Sequence, residues 1–163
     1  MGAQPGAKRY IGVPEGTTHD ELERATRENT VADLLIEVPA KPGDCHTLPS
    51  GTLHALGGGV LVAEVQTPSD TTFRVYDWGR EGRRLHIDEA MPCIDLAPLA
   101  AEHSRNAMGE GPLASTAFYT IARERWMDPT SVAFEAQRPT VLMCLDGAAD
   151  LEHAAGETTT VRK

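Results

Sequence analysis

Short apolar runs separated by glycine and proline clusters dominate the chain, and one early stretch stands out with helical spacing. Thr18 followed three residues later by Glu21 fits a capping box. There the hydroxyl accepts from one free amide while the carboxylate reaches back to the other. The pattern predicts a helix over 19–29 and a further helical turn over 31–36, stopped by Pro39 and Pro42. From Lys41 the rhythm becomes that of strands, expected at 45–48, 52–56, 60–66 and 71–77. Asp88 can cap a short helix reaching Ile94, interrupted at Pro92. Residues 97–116 show no clean period and read as a connection, long for the inside of one compact domain. Strands are expected again at 118–123, 131–136 and 141–145, with Asp146-Gly147 as a turn.

Several short strands joined by turns predict a mainly β sandwich or barrel with a small helical insertion at 18–36. The expected division is an incomplete barrel over 1–96, a linker over 97–116 and the start of a second, truncated β unit over 117–163. Composition narrows the partners. A net charge of −9 disfavours nucleic acid and anionic membrane, which both need a basic face. No apolar run is long enough to span a bilayer, and the opening MGAQPGAKRY lacks an apolar signal core. Cys45, Cys93 and Cys144 form no C-x-x-C pair, so they are expected as free thiols in a reducing, cytoplasmic setting. With aromatics at 5%, the core must rest on aliphatic residues.

The chemistry concentrates around residue 54. Gly43-Asp44 and Pro49-Ser50-Gly51 are turns, and His54 opens the strand after the second. Alternation puts Thr52, His54 and Leu56 on one face. If that face is a barrel interior, a neutral imidazole there is either an available metal ligand or a hydrogen-bonded core residue. Arg74, Arg80, Arg83 and Arg84 lie close together against Asp77 and Glu81, a local basic excess that suits a sugar phosphate or a solvated loop. Trp78 is expected to pack, His46 to be structural, and Cys45 to be inert. His19, His86, His103 and His153 follow no ligand spacing.

The pattern G-D-x4-P-x-G-x2-H over 43–54 resembles the second motif of the cupin superfamily, whose double-stranded β-helix (jelly-roll) barrels hold a metal inside. The continuation GDCHTLPSGTLHALGGGVLVAEVQTPSDTTFRVYDWGR is similar to the active-site half of type I, zinc-dependent mannose-6-phosphate isomerases of the short bacterial kind. The resemblance is strong over about 4–96 and weaker beyond Phe118, where VLMCLDGAADLEH looks like the start of that family's second cupin unit. It implies a zinc-assisted aldose–ketose isomerisation of mannose 6-phosphate to fructose 6-phosphate. His54 would be a zinc ligand and Arg74 the catalytic-site arginine. Glu64 and Asp70 would support them, and Arg80 is a candidate phosphate-binding residue.

The family's Q-x-H segment has no counterpart. The glutamines are Gln4, Gln66 and Gln137, none with histidine two residues on. One ligand cannot retain zinc. The expectation is therefore a fragment whose remaining zinc ligands lie upstream. The alternative is a non-catalytic cupin-like protein that binds a sugar or sugar phosphate. A different cupin metalloenzyme, such as a dioxygenase, draws little support from S-D-T-T-F-R.

Overall fold

A computed structural model describes residues 2–69, 71–100, 103–106, 110–127, 130–134, 137–153 and 155–163. The chain divides into two units, Met1–Glu124 and Arg125–Lys163.

In the first unit, helix α1 (His19–Arg27) starts where the cap predicts. Thr18 is extended, its hydroxyl accepts from the Glu21 amide at 3.2 Å, and the Glu21 carboxylate accepts the Thr18 amide at 2.9 Å. Asp20 and Glu21 sit at the positive end of the helix and Arg24 and Arg27 at the negative end. Thr18→Ala is expected to cost about 1 kcal/mol, read from the urea midpoint of the first unit. A 3-10 turn (Val31–Leu34) follows in place of the second helical turn. Leu22 and Ala25 bury against Val13 and Val31, with Leu53, Tyr76, Met91, Ile94 and Leu96 around them. A second helix, α2 (Ile87–Ala90), runs into a 3-10 turn (Met91–Cys93) at Pro92, and Arg27 ties α1 to it through Asp88.

The strands of this unit are β1 (Gly2–Ala3), β2 (Lys8–Ile11), β3 (Glu37–Pro39), β4 (Asp44–His46), β5 (His54–Leu56), β6 (Val60–Leu61), β7 (Ser104–Asn106), β8 (Gly111–Ser115) and β9 (Thr120–Arg123). All their pairings are antiparallel: β3-β2-β5 form one sheet, and β1-β6, β4-β7 and β8-β9 form pairs. The fold is mainly β, as expected. Among the described residues the strands make small open sheets, and none closes into a barrel.

The central sheet has two distinct faces. Register pairs Arg9 with Leu56, Tyr10 with Ala55 and Ile11 with His54, so partners share a face. Leu53 points the other way and packs on the helical core. On the opposite face Arg9 and Ile11 are buried, and Arg9 reaches Asp44 of β4. Asp44 of β4 therefore meets this face at Arg9, while the β5 rim carrying His54 and Leu56 is exposed.

The structure corrects several expected elements. Residues 71–77 are no strand among those described, because their backbone is used otherwise. The Arg74 amide donates to His86 Nδ1 at 3.2 Å, the His86 amide donates to the Arg74 carbonyl at 2.7 Å, and a turn joins the Asp77 carbonyl to the Arg80 amide. The 60–66 strand shortens to β6, whose partner β1 offers two residues. The 97–116 stretch, read as a linker, carries β7 and β8. The partner of β7 comes from β4, far away in sequence, which leaves no local period to detect. The first compact unit ends at Glu124.

The second unit holds a hairpin of β10 (Ala148–Glu152) and β11 (Thr158–Arg162). Its turn is closed by the His153 amide on the Glu157 carbonyl at 2.8 Å. The strands expected at 131–136 and 141–145 do not form among the described residues; 135–136 lie outside them. Val141 is 91% exposed, and a run apolar on both faces needs a distant partner, whereas the hairpin finds its bonds locally.

Candidate functional site

His54 is set by the turn before it. Gly51 has a φ of 89°, and a Cβ there would stand 2.6 Å from the Cys93 carbonyl oxygen. Only glycine allows residues 51–52 to run against 93–95, where the Asp95 amide donates to the Gly51 carbonyl at 3.0 Å. Gly57 closes the other end of β5, because a Cβ there would meet the Lys8 carbonyl at 2.5 Å. Between these glycines the imidazole of His54 lies on the exposed rim. Its Nδ1 lies 2.9 Å from the Thr52 carbonyl. A proton on Nδ1 satisfies that acceptor and leaves Nε2 with a free lone pair, the form a metal ligand takes.

The other expected site residues are placed as follows. Arg74 is half-buried and held by its backbone to His86. Glu64 is exposed, outside any strand. Asp70 lies outside the described residues. Arg80 and Arg83 each stand 3.7 Å from the buried Asp77 carboxylate, and Arg84 pairs with Glu89. No hydrogen bond or ion pair joins His54, Glu64, Arg74 and Arg80 to one another among the described residues. Two shallow clefts flank α1, lined by residues such as Glu21, Arg24 and Glu28, and neither includes His54 or Arg74. Trp78 packs as expected, 4.9 Å from Tyr10 and 5.2 Å from Tyr76 between ring centroids. The three cysteines are free.

Zinc does not fit the described residues of this chain unaided. They contain no group of three His, Cys, Asp or Glu able to hold a metal ion, and His54 supplies one nitrogen. No chemical step through a metal follows from these residues alone.

A polar cluster that composition and spacing did not single out lies under the sheet. Arg9 Nη2 donates to the Asp44 carboxylate at 2.7 Å, with 11% and 15% of the two side chains exposed. Asp44 also accepts the Lys41 amide at 3.1 Å. His46 Nδ1 meets the Ser104 hydroxyl at 2.8 Å and ties β4 to β7, while its buried Nε2 and Arg9 Nε have no partner. The signal was an arginine at the apolar parity of Arg9, Ile11 and Val13, which demands a buried counter-charge.

Burial opposes the charge of Asp44, but the hydrogen bond and charge of Arg9, the Lys41 amide and the nearby His46 outweigh it and hold the carboxyl below its usual range. Burial, then the Arg9 charge, pushes the His46 imidazole down, against the pull of Asp44. Both folded values lie below the unfolded ones, so each group's stability is present at higher pH and lost on acidification. The first unit is expected to weaken as pH falls below about 6.5 through His46, and again below about 3.8 through Asp44. Urea midpoints across this window check it; His46→Gln should flatten the upper limb only.

The chain is 32% identical to mannose-6-phosphate isomerase of Streptococcus mutans over 88% of its own length and 47% of the relative's. It is 34% identical to mannose-6-phosphate isomerase ManA of Bacillus subtilis over 78% of this chain and 43% of that protein. A Bacillus subtilis relative named probable mannose-6-phosphate isomerase GmuF is 41% identical over 54% of this chain and 30% of its own length. No protein-family profile matches, and no solved structure does. The chain spans about half the length of the curated relatives it matches.

Proposed function

From its membership of the mannose-6-phosphate isomerase family, we propose that the chain supplies one part of an isomerase that interconverts mannose 6-phosphate and fructose 6-phosphate. The observation that carries this reading is the identity of 32% over 88% of the chain. His54 is one zinc ligand through Nε2, and the other ligands come from residues that this chain does not hold. Support for that role is the Nδ1 contact to the Thr52 carbonyl, which fixes the tautomer a ligand needs. Aldose–ketose isomerisation moves a proton between adjacent carbons and builds negative charge on oxygen. Arg74 neutralises that charge or the substrate phosphate. Glu64 and Asp70 support these two residues, and Arg80 is the candidate for binding the substrate phosphate. The free thiols suit a reducing cytoplasmic setting.

The test is zinc content and turnover of the chain alone and of a form extended with the part of the relatives it does not cover. Zinc and turnover in the longer form alone are expected. Tight sugar-phosphate binding by the short form without metal would favour the non-catalytic alternative. In the extended form, Arg74→Ala should keep zinc and lower turnover by about 10²-fold or more, as lost charge-stabilising donors do. Unchanged turnover would remove Arg74 from the chemistry.

A further inference from the structure

Residues 74–86 leave the fold and return to it through one neck. The Arg74 amide donates to His86 Nδ1 at 3.2 Å, and the His86 amide donates to the Arg74 carbonyl at 2.7 Å. Both backbone polar groups of Arg74 thus end on a single residue. Between these ends the loop packs on itself. The Asp77 carboxylate is buried, Arg80 and Arg83 each stand 3.7 Å from one of its oxygens, and the Arg80 amide closes a turn on the Asp77 carbonyl at 2.9 Å. Trp78, inside that turn, has a φ of 54°, a conformation that bulky residues seldom hold. Ring contacts to Tyr10 and Tyr76 keep it there. A loop packed in this way with its ends joined is a compact unit, and its setting depends on the neck.

His86 is itself fixed. It precedes α2, and the Ala90 amide donates to its carbonyl at 2.9 Å. Its side chain caps no amide of that helix, which leaves the ring to Arg74. α2 is in turn tied to α1 by Arg27 and Asp88, and the imidazole lies 6.2 Å from the Phe73 ring between centroids. An amide can only donate, so the Nδ1 facing it carries a lone pair and the ring proton sits on Nε2. The Arg74 guanidinium, by contrast, takes part in no hydrogen bond or ion pair among the described residues. Its backbone is clasped while its head is left to meet another molecule.

We propose that His86 is a positioning residue for Arg74: its neutral imidazole accepts the Arg74 amide and sets the backbone from which the guanidinium meets the substrate. The inference rests on the role proposed for Arg74 and adds what holds that residue in place. His86 acts through Arg74 alone. Losing the Nδ1 acceptor leaves the Arg74 amide unpaired and loosens the neck of the loop, so the guanidinium spends less time where charge develops.

The experiment has two arms. The first uses the isotope-labelled chain. Ring-nitrogen shifts should show His86 protonated on Nε2 and bare at Nδ1. The Arg74 amide should exchange about tenfold or more slowly than in His86→Phe, which keeps a ring beside Phe73 and removes the acceptor. Asparagine sets its side-chain oxygen where Nδ1 stands, so His86→Asn should restore the protection, and the longer His86→Gln should not. A proton on Nδ1 overturns the proposal, as does an Arg74 amide that exchanges equally fast in the wild type and His86→Phe. The second arm measures turnover in the form extended with the part of the relatives this chain does not cover. His86→Phe should lower kcat by about tenfold or more, and His86→Asn should keep most of it. Added to Arg74→Ala, His86→Phe should cost nothing further, because the two residues act as one unit. Full turnover in His86→Phe overturns the role. So does a loss that multiplies with that of Arg74→Ala, which would mean that the histidine acts on the fold at large. A wild-type extended form without turnover sinks the isomerase reading instead, and the first arm then decides the clasp by itself.

Discussion

Replacing Asp44 with alanine is expected to lower the unfolding free energy of the first unit by about 3 kcal/mol. The cause is the charge left behind. Arg9 is nine-tenths buried, its Nε already lacks a partner, and Asp44 is the carboxylate it reaches. Removing that carboxylate strands a guanidinium between β2 and β4 in surroundings where its solvation is poor. The lower end of the range for buried pairs applies, because water still touches both side chains. A double change, Arg9→Met with Asp44→Leu, should recover much of the loss, since it removes both charges together. Urea denaturation of the three variants separates these outcomes. A loss below about 0.5 kcal/mol in Asp44→Ala would mean that the pair is solvated in solution.

His54→Ala in the extended form should lose most of its bound zinc and, with it, turnover. A catalytic zinc site has three protein ligands, and withdrawing one leaves the ion under-coordinated. Metal content measured after gel filtration gives the answer directly. The fold should survive, because the imidazole is on an exposed rim and its hydrogen bond among the described residues is to the Thr52 carbonyl. Zinc retained in His54→Ala would take this residue out of the metal site.

What could be read along the chain was whatever is encoded locally. Thr18 and Glu21 start α1 through bonds three residues apart, and Gly51 reports a backbone conformation that few other residues adopt. The shared face of His54 and Leu56 follows from one strand's pleat, and both are exposed with half-buried Ala55 between them, whereas Thr52 lies outside that strand. The partners were not legible. β7 answers β4 across more than fifty residues, so 104–106 looked like connection. The β-branched run at 71–77 has the composition of a strand, yet its backbone bonds go to His86 and to a turn. The run at 141–145 is apolar enough for a strand and has no neighbour to pair with among the described residues. The arginine cluster was legible as charge but not as pairing: Arg80 and Arg83 turn toward Asp77, and Arg84 toward Glu89.

The two tryptophans fall on either side of the boundary at Glu124: Trp78 packs against Tyr10 with tilted rings and edge-on against Tyr76, and Trp126 lies 6.1 Å from Phe134 between ring centroids. Each unit thus carries its own indole fluorophore in contact with other rings. With Trp126→Phe, emission reports the first unit alone, and with Trp78→Phe the second. Optical melting can then ask whether the two units unfold at one temperature or at two.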